Sequence, residues 1–351
     1  MLGLPYPHAV GGAERWVEEA ARALSSKVDL SVHYMAAAGR LPLEHEPPCT
    51  LHRYAAPHLR EADRLALSRS LVRDVARADV VHVHHYGALT PHLLALRARL
   101  RRDQAVFVTD LGSNGVAVGR RLGLHGLFHG FLELSAFATG GRPRRRTRVV
   151  WGGVDAERHR PAAKDPEPFA LFVGRLMPHK GIDVVIEALP AGRRLVVAGR
   201  PHPEHPAYAR LLRERAAGKD VRFVVDAGDR ELARLYASAT VTLLPSLWVD
   251  VYGHRHSVPE LLGLTLLESL ASGTPVIATD VASLPEIVRD GDTGRVVAPG
   301  DVRAMTEALE RFLADPGGAA AAGLRGRADV LRRFTWDRVA ERCLDAYREL
   351  G

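Results

Sequence analysis

The sequence is short of cysteine, lysine and aromatic side chains, and each shortage narrows what the protein can be. Only Cys49 and Cys343 occur in 351 residues. They lie far apart in sequence and match no metal or redox spacing, which excludes a disulfide framework, a zinc ribbon and a Cys-x-x-Cys catalyst. The expectation is two reduced thiols in a reducing compartment. No run approaches the roughly 20 apolar residues of a membrane span. The opening Met1-Leu2-Gly3-Leu4-Pro5-Tyr6-Pro7 has neither a basic flank nor a long apolar core, so it does not read as a signal peptide. A cytoplasmic protein is expected.

Phe, Trp and Tyr make up only 6% of the chain, and no recognition motif accompanies its charge. Nucleic acid is therefore not an expected partner. The net charge of +7 is carried almost wholly by arginine, the lysines being Lys27, Lys164, Lys180 and Lys219. A basic balance favours anionic ligands. The run Arg142–Arg148 is short and has no apolar helix beside it. It reads as a solvated loop entering a strand, in preference to a peripheral membrane or polyanion contact.

What is present is an alternation of short apolar runs with amphipathic stretches. In the first half strands are expected at Val28–Ala36, Val80–Tyr86, Ala105–Asp110, Gly130–Ala136 and Arg148–Trp151, with helices such as Ala13–Leu24 and Pro91–Leu100 between them. The second half repeats the pattern, with strands at Phe169–Val173, Arg194–Ala198, Val221–Val225, Val241–Pro245 and Pro275–Thr279. Strands buried on both faces and separated by helices specify a parallel, doubly wound α/β sheet. Three prolines in the polar run Arg158–Pro168 read as a linker. The expected organisation is one Rossmann-like domain over 1–160 and a second over 168–335, and the end, Trp336–Leu350, reads as one more amphipathic helix. Ligands of such sheets bind beyond the carboxyl ends of the strands, here in a cleft between the two domains.

Two segments carry chemistry. The first is Pro259-Glu260-Leu-Leu-Gly263-Leu264-Thr265-Leu-Leu-Glu268-Ser-Leu-Ala-Ser-Gly273-Thr-Pro275. It reads as loop, helix, turn and strand, with Gly263 permitting close backbone approach to a ligand and Gly273 and Pro275 ending the helix. On one helix Glu260 and Glu268 would point about 80° apart. Gly263 instead places Glu260 in the loop and Glu268 in the helix, both below a helix N-terminus that suits a diphosphate. A second reading stands beside this one: Thr265-x-x-Glu268 fits a capping box, which would make Glu268 a helix-end device. The second segment, Phe172-Val-Gly174-Arg175-Leu-Met-Pro-His-Lys180-Gly181, follows a strand and opens a helix. A strand-end glycine with Arg175 and Lys180 behind it makes a diphosphate clamp, Arg as a fork and Lys as a point charge. That favours Glu268 as a ligand over Glu268 as a cap.

Two histidine groups invite a metal reading. His82 and His84 share a strand face while His85 does not, so strand-end or cleft lining is preferred for them. The stretch Leu247–Val258, with His254 and His256, shows no third ligand. It is a candidate acceptor element.

Together these segments resemble glycosyltransferase family 4, the retaining enzymes of the GT-B fold, over nearly the whole chain. The carriers are Gly11-Gly12-Ala13-Glu14, Gly152-Gly-Val-Asp155, Gly174-Arg175 with Lys180-Gly181, Leu244-Pro245-Ser246, the Glu260/Glu268 pair, and Leu284-Pro-Glu-Ile-Val-x-Asp-Gly-x-Thr-Gly294. The resemblance implies two doubly wound domains facing a cleft, 1–160 on the acceptor side and 168–335 binding the nucleotide sugar, with the 336–351 helix packing back on the first. It implies transfer of a hexosyl group, with a UDP-sugar as first expectation, to a hydroxyl of a small-molecule, glycan or lipid acceptor. Arg175 and Lys180 would hold and neutralise the donor diphosphate. Glu260 would contact the donor sugar and Glu268 the ribose. Gly174, Gly263, Leu264 and Thr265 would approach the donor, and Gly11 and Gly12 would form a loop over its phosphate. Where the family often has His near the donor sugar this chain has Thr109-Asp110, which leaves Asp110 and His85 as candidate sugar or acceptor contacts. No metal and no cofactor are expected, the nucleotide sugar being a substrate. The rival readings are a GT-B nucleotide-sugar 2-epimerase and an inactive nucleotide-sugar binder.

Overall fold

The computed structural model describes residues 12–36, 49–55, 69–84, 89–111, 124–140 and 144–351. Gly11, His85 and Arg142 lie outside the described residues. The chain divides into two compact units, Met1–Gly153 with Trp336–Gly351, and Val154–Thr335.

The first unit contains α1 (Gly12–Ser25), β1 (Ser31–Ala36), β2 (Thr50–Ala55), α2 (Arg69–Asp74), β3 (Val80–His84), α3 (Leu89–Arg101), β4 (Ala105–Thr109), β5 (Gly130–Glu133) and β6 (Thr147–Val149). The order β3-β4-β5-β6 forms one sheet and β1-β2 another, every pairing parallel. Alternation along β3 separates its side chains. Val81 and Val83 join Leu94 and Ala98 of α3, Val106, Val108, Phe128 and Phe131 in one apolar cluster. His82 and His84 point the other way.

These histidines sit at the end of β3, as expected, with His84 its last residue. Both are buried, and the Trp16 ring of α1 meets them edge-on at centroid distances of 6.3 and 5.4 Å. His82 Nε2 lies 2.7 Å from Thr109 Oγ1, and its Nδ1 lies 2.8 Å from the Tyr347 hydroxyl. Tyr347 belongs to the C-terminal helix Trp336–Leu350, whose bounds are those read from the sequence. That helix also contributes Trp336, edge-on to Trp16 at 6.3 Å, and buries Cys343, whose thiol burial pushes up to about 12. In the basic run, Arg146 donates to the carbonyls of Gly126 and Phe128, and Arg148 pairs with Glu349 at 2.9 Å. Local contacts account for both charges.

The second unit contains β7 (Phe169–Val173), α4 (Ile182–Ala188), β8 (Arg194–Ala198), α5 (Pro206–Ala216), β9 (Val221–Val224), α6 (Asp229–Ser238), β10 (Val241–Leu244), α7 (Leu264–Ala271), β11 (Val276–Thr279), β12 (Gly294–Val297), α8 (Val302–Ala314) and α9 (Pro316–Arg333). Its sheet runs β12-β11-β10-β7-β8-β9, all parallel. The order goes outward from β7 through β8 to β9, then returns to β10 on the other side of β7 and continues outward. That is the doubly wound order, with a topological switch point between β7 and β10. Ala170 and Phe172 pack with Ile182, Val185, Tyr208, Leu212, Leu309 and Phe312 on one face. Phe169, Leu171 and Val173 pack with Val196 and Tyr236 on the other. A strand apolar on both faces is the sequence signature of this burial.

The proline-rich run does not act as a free linker. The boundary falls at Gly153/Val154, and Val154 bridges Thr335 at the far end of the same unit. The run is held down: Asp165 N–H donates to the Ser238 carbonyl at 3.0 Å, and Lys164 Nζ donates to the Ala239 carbonyl at 3.0 Å. Prolines here spare the backbone unsatisfied donors.

Buried histidines make stability acid-sensitive. Burial pushes His82 down to about 3; burial, with Lys180 and other cations adding, pushes His179 down to about 3. Both stay neutral in the folded chain and titrate near 6.5 once unfolded, so the unfolded state takes up protons first. Their contribution is complete above pH 6.5 and is lost as pH falls toward 3. At pH 5 the loss is about 2 kcal/mol for each histidine. Urea midpoints should fall between pH 7 and pH 5, with net proton uptake on unfolding; a pH-independent midpoint contradicts this.

Candidate functional site

The loops that leave β7 and β10 at the switch point carry the chemistry. Beyond β7 the chain runs Gly174-Arg175 to a short turn, Pro178–Lys180, then Gly181 and α4. Beyond β10 come Pro245 and Ser246. The two loops touch closely at Gly181, which has φ +65°; a Cβ there would lie 2.1 Å from the Pro245 carbonyl oxygen. Only glycine meets both the left-handed backbone and the contact.

Glu260 precedes α7 and Glu268 lies inside it, as the glycine between them predicts. Lys180 Nζ is ion-paired with Glu260 Oε1, and Ser246 Oγ donates to the same oxygen at 2.8 Å. Thr279 of β11 donates to the Ser246 carbonyl at 2.6 Å, which fixes that turn. Residues from two separate segments thus converge on a carboxylate carried by a third at the strand ends. Arg175 is exposed. Lys180 has a side chain only 16% accessible, its ammonium held against Glu260.

Two sequence readings around α7 need correction. Gly263 is the N-cap, with φ +87° and no side-chain cap, so Thr265 sits within the first turn and the Thr265/Glu268 capping box does not form. Thr265 Oγ1 instead reaches the Val173 carbonyl at 3.4 Å. A Cβ on Gly263 would meet Leu284 Cδ2 at 2.8 Å and Leu244 Cδ2 at 3.4 Å. The glycine answers to a positive φ and to core packing. Leu264 is the first residue of α7. Glu268 is 8% accessible, and its Oε2 accepts from the Tyr236 hydroxyl at 2.9 Å.

Leu247–Val258 forms a hairpin. Val249 bridges Arg255 in antiparallel fashion, Asp250 N–H donates to His254 O, and His256 N–H donates to Trp248 O. Asp250 Oδ1 accepts from the Tyr252 and His254 amides, and Oδ2 lies 2.9 Å from His256 Nε2. The hairpin starts beside the clamp, where Leu247 N–H donates to the His179 carbonyl at 2.8 Å and the His179 and His256 rings lie 4.9 Å apart. Asp250 therefore gives His256 a structural partner.

Among the described residues, His202, Glu204 and His205 bring metal-ligand atoms within 4.8 Å of one another. Burial, the Arg175 charge and other neighbours lower the His202 pKa. A guanidinium this close opposes cation binding. In the first unit Gly12 opens α1 and is exposed, while Asp110 follows β4 and is half-buried. Ser246, Tyr236 and His256 were not assigned roles from the sequence, since each acts through a partner 6 to 32 positions away.

Comparison with known proteins accords with this arrangement. The family model "Glycosyl transferases group 1" matches residues 154–329, and "Glycosyltransferase Family 4" matches residues 10–110. A D-inositol 3-phosphate glycosyltransferase of Mycolicibacterium paratuberculosis is 37% identical over 220 residues, covering 58% of this chain and 47% of that protein. A GDP-mannose-dependent alpha-(1-6)-phosphatidylinositol monomannoside mannosyltransferase of Mycolicibacterium smegmatis is 34% identical over 227 residues, covering 58% of this chain and 56% of that protein. The chain spans about half the length of these curated relatives. Among solved structures, Anabaena HepE in complex with UDP and glucose superposes with a TM-score of 0.76 at 18% identity, covering 99% of this chain and 98% of that one. Sucrose-phosphate synthase from Thermosynechococcus elongatus gives 0.75 at 23% identity, covering 97% and 94%. These likenesses establish the GT-B fold, two Rossmann-like domains. With a model covering half of its residues and a second model covering its first strands, the chain belongs to the group 1 glycosyl transferases, within glycosyltransferase family 4.

Proposed function

We propose that this protein is a retaining glycosyltransferase that moves a hexosyl group from a nucleoside-diphosphate sugar to a hydroxyl of an acceptor. The observation that carries the reading is the convergence of Lys180, Ser246 and Glu260 at the switch point of a doubly wound sheet, with exposed Arg175 on the same loop. Such a switch point is where this architecture binds nucleotides. A diphosphate arriving there competes with Glu260 for the Lys180 ammonium. Transfer of Lys180 to the phosphates would leave Glu260, still held by Ser246, to accept hydrogen bonds from sugar hydroxyls.

Leaving-group stabilisation then comes from Arg175, Lys180 and the amides at the start of α7. The acceptor oxygen attacks the anomeric carbon on the face from which the nucleotide departs, with no protein nucleophile and no metal assigned. UDP-sugars are the first donors to test: Anabaena HepE binds UDP, although that likeness concerns fold alone. GDP-mannose, named for the mycobacterial mannosyltransferase, is the second. Neither curated relative named above is an epimerase.

The experiment is a panel of UDP-, GDP- and ADP-sugars against inositol phosphates, free sugars, glycans and lipid acceptors, followed by free nucleotide and product NMR. Acceptor-dependent nucleotide release with retained anomeric configuration is expected. Activity should also survive EDTA, because protein cations supply the field. An epimerised nucleotide sugar, or full loss in EDTA restored by Mg²⁺, would overturn the corresponding part.

A further inference from the structure

Tyr236 enters the site from beneath. It lies on α6, and its ring is fully buried in the apolar face formed by Phe169, Leu171, Val173 and Val196. Its backbone is fixed as well, since Thr274 Oγ1 donates to the Tyr236 carbonyl at 2.6 Å. From this anchored position the hydroxyl donates to Glu268 Oε2 at 2.9 Å. At the second carboxylate oxygen, His159 Nε2 stands 3.9 Å from Oε1, and the His159 ring meets Tyr236 edge-on at 5.6 Å. The His159 carbonyl accepts from Arg327, which also donates to the Ala271 carbonyl at the end of α7. The walls around Glu268 are thus tied to the helix that carries it.

A glutamate has three side-chain torsions, and a free carboxylate samples many orientations. A vicinal diol needs one of them. A buried, rigid phenol aimed at one oxygen sets the carboxylate plane before any ligand arrives, so binding need not order it. A site built to accept hydroxyl hydrogen bonds discriminates strongly against an analogue that lacks the hydroxyl. Packing alone does not need the Tyr236 oxygen, because a phenylalanine ring fills the same apolar pocket.

We propose that Tyr236 is a positioning residue that presets Glu268 for the ribose diol, and that this pair makes the enzyme select ribonucleoside over deoxyribonucleoside diphosphates. The inference rests on the reading of the site as one for nucleotide sugars, with Glu268 at the ribose.

The test is calorimetric titration of wild type and Tyr236→Phe with UDP, GDP and their 2′-deoxy forms. Wild type should bind the ribonucleotide about tenfold or more tighter than its deoxy form. Tyr236→Phe should lose most of that ratio, weakening the ribonucleotide about tenfold and leaving the deoxy form nearly unchanged. Its donor KM should rise while kcat changes little. Adding Tyr236→Phe to Glu268→Gln should lower the ratio no further than Glu268→Gln alone, a comparison that holds even if Tyr236→Phe lowers the melting temperature. A preserved ratio in Tyr236→Phe, or equal weakening of both forms, overturns the proposal. Absence of binding by wild type to any nucleoside diphosphate overturns the underlying reading of the site instead.

Discussion

Removing one cation of the clamp should lower turnover by about 10²–10³, the usual effect of deleting one group that stabilises developing charge. Arg175→Ala is the cleaner variant. Arg175 is exposed, so its loss should leave stability within about 0.5 kcal/mol of wild type. Lys180→Ala should lose as much activity and also some stability, since Lys180 is mostly buried and paired with Glu260. Glu260 would keep only the Ser246 hydroxyl of its two partners here. Steady-state kinetics with melting curves separates the two effects. Near-normal turnover in Arg175→Ala and Lys180→Ala would remove the diphosphate assignment.

Gly181→Ala should destabilise the second unit by about 2–4 kcal/mol, combining a strained left-handed residue with a backbone clash. The added Cβ would meet the Pro245 carbonyl oxygen at 2.1 Å, so the β7 and β10 loops would be forced apart where the site lies. Gly192 and Gly218 provide the controls, at φ +70° and +76° with nothing within 4 Å of an added Cβ. Alanine at either should cost about 1 kcal/mol, the backbone term alone. Urea unfolding of the three variants compares them directly. If Gly181→Ala unfolds like the controls, the close contact between the two loops is not what fixes them.

Local pattern made much of the fold legible. Phe169–Val173 and Arg194–Ala198 are strands with the same bounds in sequence and structure, because a strand buried on both faces is an unbroken apolar run between polar turns. The short strands Thr50–Ala55 and Gly294–Val297 did not stand out. The first mixes polar residues into its run, and the second sits at a sheet edge with glycine at its start. The linker reading failed on a long-range fact: Lys164 is tied to Ala239 across 75 positions. The capping box failed because Gly263 opens the helix two residues ahead of Thr265.

The site was legible to a similar depth. Arg175, Lys180, Glu260 and Glu268 announce themselves by charge and by flanking glycines. Their partners do not. Ser246 and Tyr236 are ordinary residues in sequence and acquire roles only when β10 and α6 are folded against α7. The histidines show the converse. His82 and His84 looked chemically suggestive as an alternating pair, yet their burial against Trp16 makes them part of a core.

The central claim is that the β7–β10 switch point binds a nucleoside diphosphate through Lys180 and Glu268. Calorimetric titration of UDP and GDP into wild type, Lys180→Ala and Glu268→Gln tests it without knowledge of the acceptor. One of the two nucleotides should bind wild type one-to-one. Affinity should fall in Lys180→Ala through the lost phosphate contact, and in Glu268→Gln by roughly 1.5–3 kcal/mol through the lost charged acceptor. Binding to the folded variants as tight as to wild type, or no binding of any nucleoside diphosphate to wild type, would contradict the account.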